Sequence, residues 1–252
     1  VFSSYIFMNM VIDQINWNVD KYLLGRFHGT ISVAVYGLAA HLNGYYLNIM
    51  NTISNVFIPR VHRMVADSND NFILTKMFTR IGRLQLIILS LFLSGIVFFG
   101  RPFIHLWAGA NYNGSYTILL ILIISGVVPT IQTIGIEIQR AKNMHKFRSI
   151  LYFIIALGNL CISIPLAKMY EGAGAALGTA VAIIIGNGFI MNWYYHYKVG
   201  IDIKYFWKNI FSFIPSLVVP ILTGILINRF IDLYTPFNFI CFAGVYVAAY
   251  CI

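Results

Sequence analysis

The sequence predicts an all-α, polytopic helical membrane protein with about eight transmembrane helices. Two observations carry this reading. Of 252 residues, 59% are hydrophobic and only 10% charged, whereas a soluble domain carries about 25% charged residues. Apolar runs also recur at about the 20-residue length that crosses a bilayer, divided by short turns with glycines or charges. The mean hydropathy of +0.77 agrees.

The expected spans, in order, are 1–24 (A), 31–58 (B), 77–100 (C), 115–139 (D), 148–168 (E), 173–196 (F), 210–230 (G) and 236–252 (H). B and D hold polar residues but keep helical periodicity. Pro59, Pro102 and Pro236 fall near span ends, where a missing amide is tolerated. Pro129, Pro165, Pro215 and Pro220 fall inside spans and mark kinks. Segment 202–208, DIKYFWK, mixes aromatic and basic residues and reads as an interfacial anchor before G.

Lys and Arg counts give the direction. The B–C, D–E and F–G connections hold 12 of the 17 basic residues, which assigns that side to the cytoplasm. The net charge of +9 is then mainly a topology signal. The basic residues sit at loop ends, so no nucleic-acid partner is expected. The chain opens VFSSYIF and ends AAYCI inside apolar runs, and is expected to be a fragment. Cys161, Cys241 and Cys251 have no metal spacing and give no reason to infer a disulfide.

Three spans carry a polar stripe. At 100° per residue, Asn9, Asp13, Asn16 and Asp20 of A fall within an arc of roughly 60°. His41, Tyr45, Asn48, Thr52 and Asn55 of B fall within roughly 80°. Thr130, Thr133, Glu137 and Arg140 of D fall within roughly 80° as well. Asp13 lies near the expected bilayer midplane, where a charge costs at least about 2.5–3.5 kcal/mol. Such a residue faces a wet cavity or else makes an interhelical hydrogen bond. Asn48, Asn55, Asn159 and Thr179 have the same two readings. Lys21 and Arg26 are candidate anion contacts or snorkelling anchors. Glu137 and Arg140 are one turn apart and either face the cavity or pair with each other. His41 is a relay candidate or a satisfied buried histidine.

Desolvation raises a carboxylate pKa, so Asp13 is a candidate site for H⁺; hard oxygen ligands equally suit Na⁺, with Asn159 and Thr179 as neutral partners. No other cofactor is expected. There is no P-loop, HExxH or CxxC pair, so no enzyme is expected. The glycines of GAGAALG (172–178) read as close helix packing.

The stretch DKYLLGRFHGTISVAVYGLA (20–39), FIPRV (57–61) and GAGAALGTAVA (172–182) resemble landmarks of the bacterial polysaccharide flippase family. That family belongs to the multidrug/oligosaccharidyl-lipid/polysaccharide exporter superfamily. The resemblance implies two six-helix lobes around a central cavity. Residues 1–200 would be the second lobe, with the first lobe absent from this chain. Residues 201–252 would be an interfacial segment and two extra helices. The implied activity is translocation of lipid-linked oligosaccharide repeat units, on undecaprenyl pyrophosphate, across the bacterial cytoplasmic membrane by alternating access. The partners would be that amphiphile, membrane lipids and polysaccharide-assembly proteins. Asn16, Asp20, Lys21, Arg26, His41, Asn48, Glu137 and Arg140 are then the candidate cavity residues, and Asp13, Asn159 and Thr179 the candidate ion-coupling set.

Two rivals remain at this point. An ion-coupled drug antiporter of the same superfamily would favour acids and aromatics in its cavity over Lys and Arg. A membrane enzyme of polysaccharide assembly would need a large outer loop, and the expected outer loops are short.

Overall fold

A computed structural model describes residues 18–67 and 70–250. All regular elements among these residues are helical. They are α1 (18–27), α2 (Thr30–Asp67), α3 (Asn71–Ala108), α4 (Ser115–Ile131), α5 (Ile134–Ala141) and α6 (His145–Ile183). A wide-turn π stretch (Ile184–Met191), α7 (Asn192–Tyr194), a second π stretch (Tyr195–Val199), α8 (Ile203–Phe211), α9 (Val218–Phe230) and α10 (Pro236–Tyr250) complete the chain. Span A is therefore described only from residue 18, and Asp13 and Asn16 lie outside the described residues.

Four segments are long and apolar enough to cross a membrane: Asn71–Ala108, Ser115–Ala141, Lys146–Val199 and Ile203–Phe230. α2 is equally long, but its Asn and His residues make it less apolar. Straight, the 54-residue run Lys146–Val199 would reach about 80 Å, far beyond the ~30 Å hydrocarbon core. It reverses instead at Tyr170 and Glu171, where Glu171 has φ 51° and ψ −135°. Leu166 lies against Gly174, Ser163 against Gly178 and Ile155 against Gly186. These pairs are equally spaced about the reversal, so E and F form an antiparallel hairpin. A Cβ on Gly178 would lie 2.8 Å from Ser163 Cα. Only small residues allow backbones this close, which accounts for GAGAALG.

Span D is not one helix. α4 stops at Ile131 and α5 restarts at Ile134. Pro129 removes an amide from the ladder one turn earlier, and Thr133 Oγ1 donates to the carbonyls of Thr130 (2.7 Å) and Pro129 (3.2 Å). α2 and α3 also run through Pro59 and Pro102, beyond the ends expected from the sequence at 58 and 100. Pro59 is exposed toward a polar end, and the Phe98 carbonyl freed by the buried Pro102 accepts from Asn228 Nδ2 at 3.0 Å.

The connections gather at two ends. At one, His28 Nε2 donates to Ala167 O (2.8 Å), Ser115 Oγ to Val35 O (2.7 Å) and Ser32 Oγ to Glu171 Oε2 (3.3 Å). At the other, Lys142 Nζ donates to Asn71 Oδ1 (2.6 Å) and Val199 O (2.9 Å), and Asp202 N to Thr75 Oγ1 (3.0 Å). Desolvation holds the Lys142 ammonium below the usual lysine pKa. This second end joins the three basic connections, as the alternating count requires.

The main core includes Leu24, Tyr36, Met50, Phe78, Leu119 and Ile131. α8 shares it: Phe206 is fully buried and its ring centroid lies 4.7 Å from that of Phe78. Asp202 caps this helix, accepting from Tyr205 N at 3.1 Å. α9 and α10 form a smaller cluster on α3, with Phe99, Ile227, Leu233 and Tyr246.

Cysteine labelling in intact cells tests the direction. Lys146→Cys, exposed at the basic end, is expected to react only after permeabilisation. Asn111→Cys, exposed at the other end, is expected to react from outside, and the opposite pattern would invert the topology. The hairpin is tested separately. Gly178→Val is expected to destabilise the protein by about 1–3 kcal/mol through overpacking, read as a lower midpoint of thermal unfolding in detergent. An unchanged midpoint would mean that the two arms do not approach as described.

Candidate functional site

Asp20 stands near the end of the first helix and is only 2% exposed. No Lys, Arg or His makes an ion pair with it among the described residues. Its neighbours are neutral oxygens from three helical segments. Tyr36 of α2 donates its hydroxyl to Asp20 Oδ2 at 2.5 Å, and Thr179 of the second α6 arm donates at 2.9 Å. Thr179 Oγ1 also lies 3.4 Å from Asn159 Oδ1 on the first arm. Ser163 Oγ, fully buried, lies 2.8 Å from Asn159 Oδ1 and 3.4 Å from Ala175 O. Asp20 Oδ1 has no hydrogen-bond partner among the described residues.

This cluster has one carboxylate and several neutral oxygens. Among the described residues no three His, Cys, Asp or Glu side chains come together. A single formal negative charge suits a proton or a monovalent cation better than a divalent metal, which gathers more charged oxygen ligands. The hairpin makes the set possible. Asn159 and Thr179 stand on opposite arms, and the hairpin brings Thr179 Oγ1 to 3.4 Å from Asn159 Oδ1.

The cluster forms one end of a cavity of about 290 Å³ between α1, α2, α4–α5 and the α6 arms. Asn43, Thr130 and Asn187 are among its other polar linings. Asn43 Oδ1 is buried without a partner among the described residues, while Asn187 Oδ1 accepts from Tyr152 at 2.6 Å. Ligand pockets span roughly 300–1,000 Å³, so this space suits an ion with water and not a large amphiphile.

The remaining sequence candidates lie elsewhere. His41 and Asn48 are exposed, as are Thr52 and Asn55. The polar stripe of α2 thus faces away from the lobe interior, and Asn43 and Asn51 are the α2 asparagines that line the inner cavity. Glu137 and Arg140 hold each other at 2.6 Å, with His62 Nε2 3.7 Å from Glu137. Lys21 is half-buried and Arg26 exposed near the α1–α2 turn. Arg140 is at the opposite end of the lobe, so these three cations do not form one site. Asp13 lies outside the described residues; among those described, the carboxylate that Thr179 reaches is Asp20.

Several contributors were not singled out from the sequence. Tyr36 is an ordinary residue in an apolar run, and nothing in its spacing marks it; Ser163 reads in the sequence only as a sparse polar residue of span E beside Asn159. Gln132 and Asn192 form another buried link. Gln132 Nε2 and Trp207 Nε1 both donate to Asn192 Oδ1, at 2.8 and 3.1 Å. Asn192 Nδ2 in turn donates to Asn187 O (2.9 Å) and Gly188 O (2.8 Å) in the π stretch.

Residues 1–115 match the family described as "Polysaccharide biosynthesis protein". No curated protein matches the sequence. Among solved structures, "Lipid II flippase MurJ, inward closed conformation" shares the fold with a TM-score of 0.73 at 22% identity. The match covers 97% of this chain and 51% of that one, so the chain spans about half the length of the flippase it resembles. Residues 1–115 thus resemble that family's model, and over nearly all its length the chain is a multi-pass helical membrane protein that shares its fold with about half of that solved structure.

Proposed function

We propose that this chain is the second lobe of an exporter that moves undecaprenyl-pyrophosphate-linked oligosaccharide repeat units across the bacterial cytoplasmic membrane. A monovalent cation or a proton at Asp20 couples the cycle. The observation that carries this reading is a polar face set beside an apolar groove. His41, Tyr45, Asn48, Thr52 and Asn55 form the exposed face of α2. Tyr45 also borders a groove of about 560 Å³ whose walls include Ile49, Phe92, Phe99 and, from α10, Phe239 and Val247. Such a surface fits an amphiphile, with sugars on the polar face and a prenyl tail in the groove. A cationic drug is the poorer fit, because the α2 face offers no carboxylate.

No covalent bond needs to break, so the work is binding and exposure to each side in turn. α2 has 38 residues and is about 57 Å long. Lys21 and Arg26 stand near one end of it and Arg140 near the other. A pyrophosphate passing between the leaflets would meet them in sequence through charge-assisted hydrogen bonds. The Asp20 cluster is too small for the amphiphile and lies between the moving helices, which is where a coupling ion would act.

The test is uptake of a fluorescent lipid-linked oligosaccharide by proteoliposomes holding the full-length protein. Asp20→Asn keeps the shape and removes the charge. It is expected to fold, to lose at least tenfold in rate, and to lose the dependence on Na⁺ or pH. Full transport with unchanged ion dependence would falsify the coupling role. Asp13→Asn, measured beside it, shows whether the two carboxylates share the task. His41→Ala with Asn48→Ala is expected to slow transport severalfold while leaving the ion dependence intact. Normal transport by that double variant would remove the α2 face from the substrate path.

A further inference from the structure

We infer that the groove between α2, α3 and α8 at the basic end of the lobe is a binding site for an anionic phospholipid. The groove is about 650 Å³ and carries Arg60 of α2 and Lys76, Arg80 and Arg83 of α3 on its rim. Lys76, Arg80 and Arg83 recur at i, i+4 and i+7, so α3 presents them on one face. All four are exposed. None of the four makes an ion pair among the described residues; Lys76 Nζ sits 4.2 Å from the centroid of Phe72. The nearby carboxylates of Asp70 and Asp202 are engaged as helix caps, accepting from Phe72 N (2.8 Å) and Tyr205 N (3.1 Å). No carboxylate stands within ion-pair distance of these four cations among the described residues.

Depth places this charge at headgroup level. The uncharged run 84–100 lies between Arg83 and Arg101. It rises about 25 Å, close to the ~30 Å hydrocarbon thickness. Arg83 then stands at the boundary, with Arg80 and Lys76 further out. Below the cations the same groove continues along Leu84 and Ile87, which are 40% and 38% exposed. A soluble phosphate has no use for that apolar track, while a phospholipid lays its acyl chain there and its phosphate on the guanidinium groups. Polar groups complete the site. Asn209 borders it from α8. Thr79, 4% exposed, lines it with a hydroxyl that has no partner among the described residues. Close packing holds the groove open: a Cβ on Gly82 would lie 2.7 Å from the Phe206 ring, so α8 is held tight on α3.

This site is separate from the proposed substrate path. Phe57, Arg60 and Met64 of α2 are turned by roughly 100–160° from the stripe of His41 and Asn48. The pyrophosphate carrier travelling on that stripe would not meet the groove.

Native mass spectrometry of the full-length protein in detergent tests the inference without measuring transport. Phosphatidylglycerol and phosphatidylcholine with matched acyl chains are offered together. The protein is expected to retain phosphatidylglycerol at least tenfold more tightly. Lys76→Gln, Arg80→Gln and Arg83→Gln combined are expected to abolish the preference, at roughly fivefold per charge near the surface. Arg80→Lys with Arg83→Lys is expected to keep it, which separates loss of charge from loss of fold. Lys198→Gln with Lys204→Gln, on the same side but outside the groove, is expected to leave it unchanged. A preference that survives the triple glutamine variant, or no preference in the unaltered protein, would overturn the site. Displacement of the lipid by an equal concentration of inorganic phosphate would identify a soluble ligand instead and overturn the lipid assignment.

Discussion

A carboxylate buried in an apolar bundle without a basic neighbour sets the terms for the whole lobe. Asp20 is such a group among the described residues. Inserting a charge in the membrane costs at least about 2.5–3.5 kcal/mol. An interhelical hydrogen bond returns ~0.6 kcal/mol on average. The two donors that reach Asp20, Tyr36 and Thr179, therefore offset less than half of that cost. Under the proposed coupling, a proton or cation would supply the difference, and its presence or loss would change the energy of every helix that touches the carboxylate. Those helices are the first, α2 and the second arm of the hairpin, with the first arm joined through Thr179 and Asn159. The reversal at Glu171, the close approach at Gly174 and Gly178 and the His28–Ala167 bond all serve to bring them together.

The breaks in the long helices follow from a second rule of the membrane, that backbone groups must be satisfied internally. Where α4 gives way to α5, Thr133 turns its hydroxyl back onto the freed carbonyls. Where the second hairpin arm widens into π turns, Asn192 donates to the carbonyls of Asn187 and Gly188. The same Asn192 accepts from Gln132 at the α4–α5 break and from Trp207 of α8. Two irregular segments and the surface helix are thus tied through one side chain. Wide turns of this kind are common at functional sites, and these border the ion-sized cavity.

Size and direction separate two tasks that the polar residues could share. The inner cavity, about 290 Å³, has room for an ion with water. The outer face of α2 and the groove under α10 have the room and the two-sided chemistry for an amphiphile. α9 and α10 pack on α3 through an aromatic cluster, with Phe99 and Tyr246 ring centroids 5.4 Å apart. They supply a wall of the groove and no polar group to the inner cavity.

The sequence by itself determined the helical membrane class, the alternation of basic connections and the glycine-based packing of 172–178. Each of these follows from local rules: span length, charge near span ends and side-chain size. Helical periodicity also showed that one face of α2 is polar. It could not show that this face turns outward while Asn43 turns in, because periodicity defines a face and not its neighbour. The pairing of Glu137 with Arg140 was open in the sequence, and the geometry joins them. The ion-coupling set needed the tertiary structure most. Asn159 and Thr179 were legible as polar residues at similar depth, but that Thr179 reaches Asp20 among the described residues was not. Thr179 and Asp20 are 159 positions apart, and only the folding of the hairpin onto the first two helices brings their oxygens to 2.9 Å. A contact between helices depends on the rotation and height of each, and a single helix encodes neither relative to the others.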